Sequence, residues 1–206
     1  MKHFALIILI SSLSACSFFG VRTAEEPGYT VLAKEGDYEI RSYKEMLLAK
    51  VLLDEGLEDP RSVGFRRLFK YISGENSTSK KISMTAPVLE DPKATSQKIP
   101  MTAPVFIADD SRSMAFILPE DFNLETAPIP NDASVNIEKQ LSRKVAVLRF
   151  SGVLTDESIE KRSGELRNWV KSRKLKSVPI LTVAGYDPPW TIPRLRRNEI
   201  HITLEP

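Results

Sequence analysis

Short runs of alternating or continuous apolar residues follow one another along most of the chain, and they fall into two sets. In YEIRSY (38–43), Tyr38 and Ile40 alternate with Glu39 and Arg41, the pattern of a half-covered strand. MLLAKVLL (46–53) is apolar almost throughout and reads as a buried strand, close enough to the first to predict a hairpin. From Arg61 to Ser73 the period changes. Phe65, Leu68, Phe69 and Ile72 recur at i, i+3, i+4 and i+7, while Arg66, Arg67 and Lys70 fall elsewhere, which predicts an amphipathic helix. Gly74 ends it, because glycine tolerates the left-handed conformation at a helix C-terminus. SMAFILP (113–119) reads as a further strand, and the proline- and acid-rich EDFNLETAPIPND (120–132) as the connection between halves.

The second set repeats the order. SVNIEKQ (134–140) and KVAVLRFSG (144–152) read as strands. Thr155 then caps a helix with Asp156 and Glu157 in its first turn, Lys171, Arg173 and Lys174 at its end, and Ile159, Leu166, Trp169 and Val170 on its buried side. VPILTVAGY (178–186) and NEIHITLE (198–205) return as strands, with Ile200, Ile202 and Leu204 inward and Glu199, His201 and Thr203 outward. Strand, strand, helix, strand, strand, written twice, predicts an α+β domain: a distorted antiparallel β-barrel of two pseudo-symmetric halves, each with one amphipathic helix.

One motif is repeated outright. MTAPV occurs at 84–88, within KISMTAPVLE, and at 101–105, within KIPMTAPVFI. On strands, Ile82, Met84, Ala86 and Val88 share one face, as do Ile99, Met101, Ala103 and Val105, and the spacing suits an antiparallel hairpin. Pro87 and Pro104 lack the N–H that a central strand needs, so each copy is expected to meet an edge, a bulge or a gap, where a cleft forms. Met84 and Met101 are flexible enough to be core filler or to line such a cleft.

Composition changes the picture at the N-terminus. MKHFALIILISSLSAC has a basic start, an apolar run too short to span a bilayer and small residues before a cysteine, the form of a signal peptide (1–15) with Cys16 as a lipidated first residue of the mature chain. Cys16 is the one cysteine, so an internal disulfide is excluded. Residues 16–28 then read as a tether and 29–206 as the domain. Ser17 fits outer-membrane sorting, giving a lipoprotein facing the periplasm. The balance of 29 basic to 27 acidic side chains steers the chain toward no nucleic acid. No G-x-S-x-G, H-E-x-x-H, paired cysteines or glycine-rich phosphate loop is present.

With KISMTAPV, KIPMTAPV, GFRRLFKYISGEN, YEIR and AGYDPPWTIPRLRRNEI in view, the chain from Tyr29 to Leu204 resembles the SOUL haem-binding protein family. The resemblance implies a barrel similar to bacterial effector-binding domains, which hold apolar cations and drugs. It also implies a tetrapyrrole in a surface cleft between the first helix and the loop after GYDPP, here Arg61–Ser73 and Asp187–Arg197. The expected ligand-binding residues are Phe65, Phe69, Tyr186 and Trp190 against the ring, Lys70 at the propionates, with Arg194 and Arg66 candidates there by position only, and Met84 and Met101. Core packing is the competing role of each aromatic residue. The family's axial histidine has no counterpart near the early strands, and His201 is read as facing solvent, so haem is expected weakly held or without histidine ligation, the metal ligand being open. Burying on the order of 500 Å² of porphyrin yields roughly 12 kcal/mol against association costs of about 4–15, enough for micromolar binding. The expected function is a membrane-tethered periplasmic module, monomeric or weakly oligomeric, for haem or another planar apolar molecule. A protein-interaction module, or a hydrolase with a carboxylate of raised pKa in the cleft, are the alternatives.

Overall fold

The computed structural model describes residues 24–54, 56–78, 81–91 and 112–205. Cys16, the signal segment and the whole second MTAPV copy, Met101 included, lie outside the described residues. The elements run β1 (Tyr29–Glu35), β2 (Tyr38–Tyr43), β3 (Met46–Leu52), α1 (Pro60–Ile72), β4 (Val88–Asp91), β5 (Ser113–Ile117), β6 (Val135–Gln140), β7 (Arg143–Phe150), α2 (Asp156–Ser172), β8 (Ser177–Gly185) and β9 (Asn198–Leu204). Both helices start on local chemistry. Pro60 opens α1 behind Asp59, whose carboxylate accepts the Ser62 N–H at 3.1 Å. Thr155 and Ser158 cap α2 reciprocally, at 3.1 and 3.0 Å. Gly74 takes φ 112°, as the helix stop requires.

The strands form one antiparallel sheet in the order β1-β2-β7-β9-β8-β4-β5-β3-β6. Apart from β1, the order is symmetric about the β8/β4 pair: β2-β7-β9-β8 on one side answers β6-β3-β5-β4 on the other. The duplication expected from the pattern is therefore present in the topology, with the first strand of each half paired to the second strand of the other.

Two short links make this sheet curl. Tyr43 of β2 is joined to Met46 of β3 through Lys44 and Glu45 alone, a span of about 11 Å at most. β2 and β3 lie six places apart, which in a flat sheet is about 29 Å. Leu141 and Ser142 impose the same condition on β6 and β7. The sheet satisfies both by rolling into a half-barrel, and Met46 packs at the meeting point, against Tyr43, Val145 and Val147 from one end and Leu48, Ala115 and Ile117 from the other. The expected β2–β3 hairpin is thus not formed: β2 pairs with β1 and β7, and β3 with β5 and β6. A two-residue link served as a bridge across the barrel mouth rather than as a tight turn.

Each helix covers its own half from the convex side. Leu68, Tyr71 and Ile72 of α1 pack on Val51, Met114 and Phe116. Ile159, Leu166 and Val170 of α2 pack on Leu148, Leu181, Ile200 and Ile202. The concave side is also covered, by the curl itself, and this overturns one expectation. His201 and Glu199 do not face solvent; they are 3% and 0% exposed and point into the barrel. The first MTAPV copy is also corrected. Ile82 joins the core under α1 whereas Ala86 joins the concave cluster, and the strand begins only at Val88, after Pro87. β4 sits in the middle of the sheet, not at an edge, and the proline is accommodated because it precedes the first paired residue.

Removing Leu68, which is fully buried, should cost about 2–5 kcal/mol as Leu68→Ala, whereas Phe69→Ala, on the open side of the same helix turn, should cost under about 1 kcal/mol. Urea denaturation of the two variants checks the contrast.

Candidate functional site

The aromatic residues expected to meet a flat ring divide between the two faces of the sheet. Phe65 and Phe69 are on the outer side of α1, 37% and 48% exposed, with rings 6.1 Å apart and 11° from parallel. The Phe65 ring stands edge-on to Phe116 at 5.3 Å. Phe116 is opposite Val88, and Val88 is opposite Gly185, so the loop that starts at Tyr186 leaves the sheet two strand spacings away, about 10 Å. Trp190, 63% exposed, is in that loop, and Arg194 is exposed in the following 3-10 turn, Pro193–Leu195. Lys70 is exposed beside Glu75, at 3.6 Å. Met84 is half-buried against the α1 core. Tyr186 departs from the set: it turns inward, 7% exposed, with its hydroxyl committed elsewhere.

That hydroxyl belongs to a buried polar cluster which the alternation of β9 had placed on the surface. Glu199 Oε2 accepts from Arg41 Nη1 at 2.8 Å, Tyr186 Oη at 2.8 Å and His201 Nε2 at 2.9 Å. Its Oε1 accepts from Arg41 Nη2 at 3.1 Å and Arg197 Nε at 2.9 Å. Arg41 also donates to Glu39 at 2.7 Å and lies over the Tyr29 ring at 4.3 Å. Arg197 lies over the Tyr186 ring at 3.8 Å and donates to Glu26 at 2.9 Å. Burial alone would raise the Glu199 pKa, but the donors from His201 and Arg41 outweigh it and hold the carboxyl well below the ordinary range. Burial lowers the pKa of His201, against the pull of Glu199. The imidazole is accordingly neutral beside an ionised carboxylate, so Nε2 carries the proton and Nδ1 the lone pair. A general acid needs the opposite, a carboxyl of raised pKa, and Glu199 does not offer it.

Residues assigned to the tether are part of this structure. The Ala86 N–H donates to the Glu25 carbonyl at 2.9 Å, Glu26 meets Arg197, and Ala24 packs on the concave cluster. The folded chain therefore begins by residue 24 rather than at Tyr29. Residues 25–28 border a cleft of about 530 Å³ at the barrel mouth, floored by Met46, Ile117, Leu118 and Phe122. Among the described residues, no three His, Cys, Asp or Glu side chains cluster to hold a metal ion.

The profile of the "SOUL heme-binding protein" family matches residues 24–96 and 89–203. The chain belongs to the SOUL haem-binding protein family. "Heme-binding protein 1" of Sus scrofa is 27% identical over 196 residues, 89% of this chain and 94% of its own length. Among solved structures, the C-terminal domain of EcmrR superposes with a TM-score of 0.57 at 11% identity, covering 86% of this chain and 98% of that domain. A structure named as a hydrolase from Listeria innocua superposes at 0.50 with 10% identity, covering 84% and 94%. At such identities these two likenesses establish a shared fold.

The strings that signalled the SOUL family now have a physical meaning. YEIR supplies Glu39 and Arg41, GYD supplies Tyr186 and Asp187, and RRNE supplies Arg197 and Glu199. All but Asp187 are in the Glu199 network, and Asp187 accepts the Arg197 backbone N–H at 2.6 Å. The signal available beforehand was the spacing. Glu39 and Arg41, and again Arg197 and Glu199, are opposite charges two residues apart, hence on one face of a strand, an arrangement that permits burial as a pair.

Replacing Glu199 by Gln leaves two buried guanidiniums short of their counter-charge and should cost about 3–5 kcal/mol. In the native chain the Glu199 and His201 pKa values are both lowered from ordinary values of 4.5 and 6.5. The unfolded chain then binds more protons than the native one once pH falls below 6.5, and stability declines with acidification. Urea midpoints followed from pH 7 to pH 3 should fall in the native chain, and Glu199→Gln should make the fall below pH 4.5 shallower by the share of Glu199, leaving that of Glu39 and the other carboxylates of lowered pKa.

Proposed function

We propose that this SOUL protein is a membrane-tethered periplasmic module that binds haem or a related planar apolar molecule, without catalysing a reaction, in the groove between α1 and the loop 186–192. Membership of the haem-binding family supports the ligand class. The observation that carries the location is the parallel pair Phe65 and Phe69. Two aromatic side chains left largely open on one helix face cost solvation unless something flat covers them, and the loop bearing Trp190 leaves the sheet about 10 Å from the Phe116 on which Phe65 rests. A porphyrin fits these residues by contact. Phe65, Phe69 and Trp190 would meet the ring, Lys70 and Arg194 the propionates, and Met84 the edge nearest the core. A bound haem would supply the redox and ligand-binding chemistry of its iron.

No described histidine or cysteine is on this convex face, which supports binding by ring contacts rather than by strong ligation. Titrating the purified chain with haem should give a saturable Soret change at one haem per chain. Trp190→Ala and Phe69→Ala should each weaken it roughly tenfold, about 1.4 kcal/mol. A non-saturable change, or variants that bind like the native chain, would remove this groove as the site.

The lipobox-like LSAC and the polar stretch after it support attachment through Cys16 at the outer membrane, with the domain facing the periplasm. Cells grown with labelled palmitate should label the native chain, and Cys16→Ser should abolish the label and release the protein from the membrane fraction.

A further inference from the structure

The concave face offers different chemistry from the convex groove. His201 is 3% exposed, its Nε2–H is taken by Glu199, and its Nδ1 has no hydrogen-bond partner among the described residues. A buried acceptor left in that state has lost its hydration without replacement, so a donor at this position would be favoured. His201 borders a chamber of about 10 Å³, the room of a single hydroxyl or water. Pro27, Met46 and Ile117 line both this chamber and the 530 Å³ cleft at the barrel mouth, so the two abut, with the flexible Met46 side chain in the wall between them.

The cleft's walls narrow the class of molecule. Its floor is apolar: Met46, Leu47, Ile117, Leu118 and Phe122. Of its acidic residues, Glu26 is paired with Arg197 and Glu45 with Lys139 at 2.9 Å, leaving Glu25, Glu120 and Glu125 against Lys44. At the mouth that surplus of negative charge opposes an entering carboxylate, haem propionates included, whereas the chamber beyond is lined by the Arg143 guanidinium as well as His201. The lone pair at the inner end accepts from an O–H or N–H and has nothing to offer an ether or ester oxygen.

We infer that the barrel mouth is a second small-molecule site, which takes an uncharged aromatic alcohol or N–H heterocycle with its ring system on the Met46–Phe122 floor and its single donor on His201 Nδ1. The site is separate from the haem groove and does not depend on it: one is at the barrel mouth, lined by residues of both faces of the sheet, the other is between α1 and the loop 186–192. Residues 25–28, which cross the mouth, set how far a ligand enters.

The test uses 2-naphthol as the probe, with 2-methoxynaphthalene, which lacks the donor, and 2-naphthoate, which carries a negative charge. Binding is followed on the full chain by the long-range nitrogen–proton spectrum of the imidazoles; the chain has two histidines, and His3→Gln assigns them. 2-Naphthol should bind saturably and shift His201 Nδ1 while Nε2 stays protonated. 2-Methoxynaphthalene and 2-naphthoate should bind at least tenfold more weakly. Gly28→Trp blocks the mouth without disturbing the core, since a Cβ there meets nothing nearer than Glu120 Oε1 at 3.7 Å. It should abolish naphthol binding and leave the urea midpoint unchanged. Equal affinity for 2-naphthol and its methyl ether, an unmoved Nδ1 resonance, or full naphthol binding by Gly28→Trp would each overturn the assignment, the first being the outcome if Nδ1 serves only a trapped water.

Discussion

An ionised carboxylate with no exposed surface lies at the centre of this fold. Placing Glu199 inside the barrel costs several kcal/mol in lost hydration, and the cost is offset only because five donors converge on it. Those donors come from β2, from the loop after β8 and from β9 and its approach, and through Arg197 the network reaches Glu26 in the N-terminal segment. Such a cluster fixes register. A slip of β9 by one residue would send Glu199 toward α2 and bring Ile200 against Arg41, stranding its guanidinium. The charge is therefore as much a device for choosing one strand pairing as a source of stability.

Closure of the sheet depends on that choice. The two-residue links at 44–45 and 141–142 draw strands six places apart together, and the curl they impose converts the inner face from a surface into an interior. Once it is an interior, every polar group on it needs a partner. β2 and β9 meet the requirement with Arg41 and Glu199, and Tyr43 accepts a further Arg41 N–H at 3.1 Å. Curl and charge thus constrain each other. The links make the polar face buried, and the paired charges make burial tolerable.

Much of this was legible in the chain. The period of 3.6 over 61–73 and the Thr155 cap located both helices, and YEIRSY matched β2 residue for residue. Three things were hidden, for identifiable reasons. β1 carries almost no burial pattern, because only one of its edges is paired and both faces are largely open. The partners of β2 and β3 are set by long-range closure, which no local turn signal reports. Alternation in NEIHITLE divided the residues of β9 between two faces correctly, yet it carries no information on whether the polar face meets water or the other wall of a barrel. Of the expected site, Phe65, Phe69, Lys70, Trp190 and Arg194 stay on the outer surface, whereas Tyr186 belongs to the interior network.

The two halves use one strand plan for different ends. On the concave face β5 presents Ser113, Ala115 and Ile117, while its counterpart β9 presents Glu199, His201 and Thr203. The charge gathered around Glu199 makes the interior asymmetric: the apolar side chains of Ala115 and Ile117 stand opposite a neutral imidazole whose orientation is fixed by an ionised carboxylate. The convex face carries rings and peripheral cations beside α1 and, between the two helices, an ionic cluster in which Glu90 meets Arg61 at 2.9 Å and Arg112 at 3.0 Å. One sheet therefore carries two chemically unlike faces, and the alternation of side chains along its strands lets either change without the other.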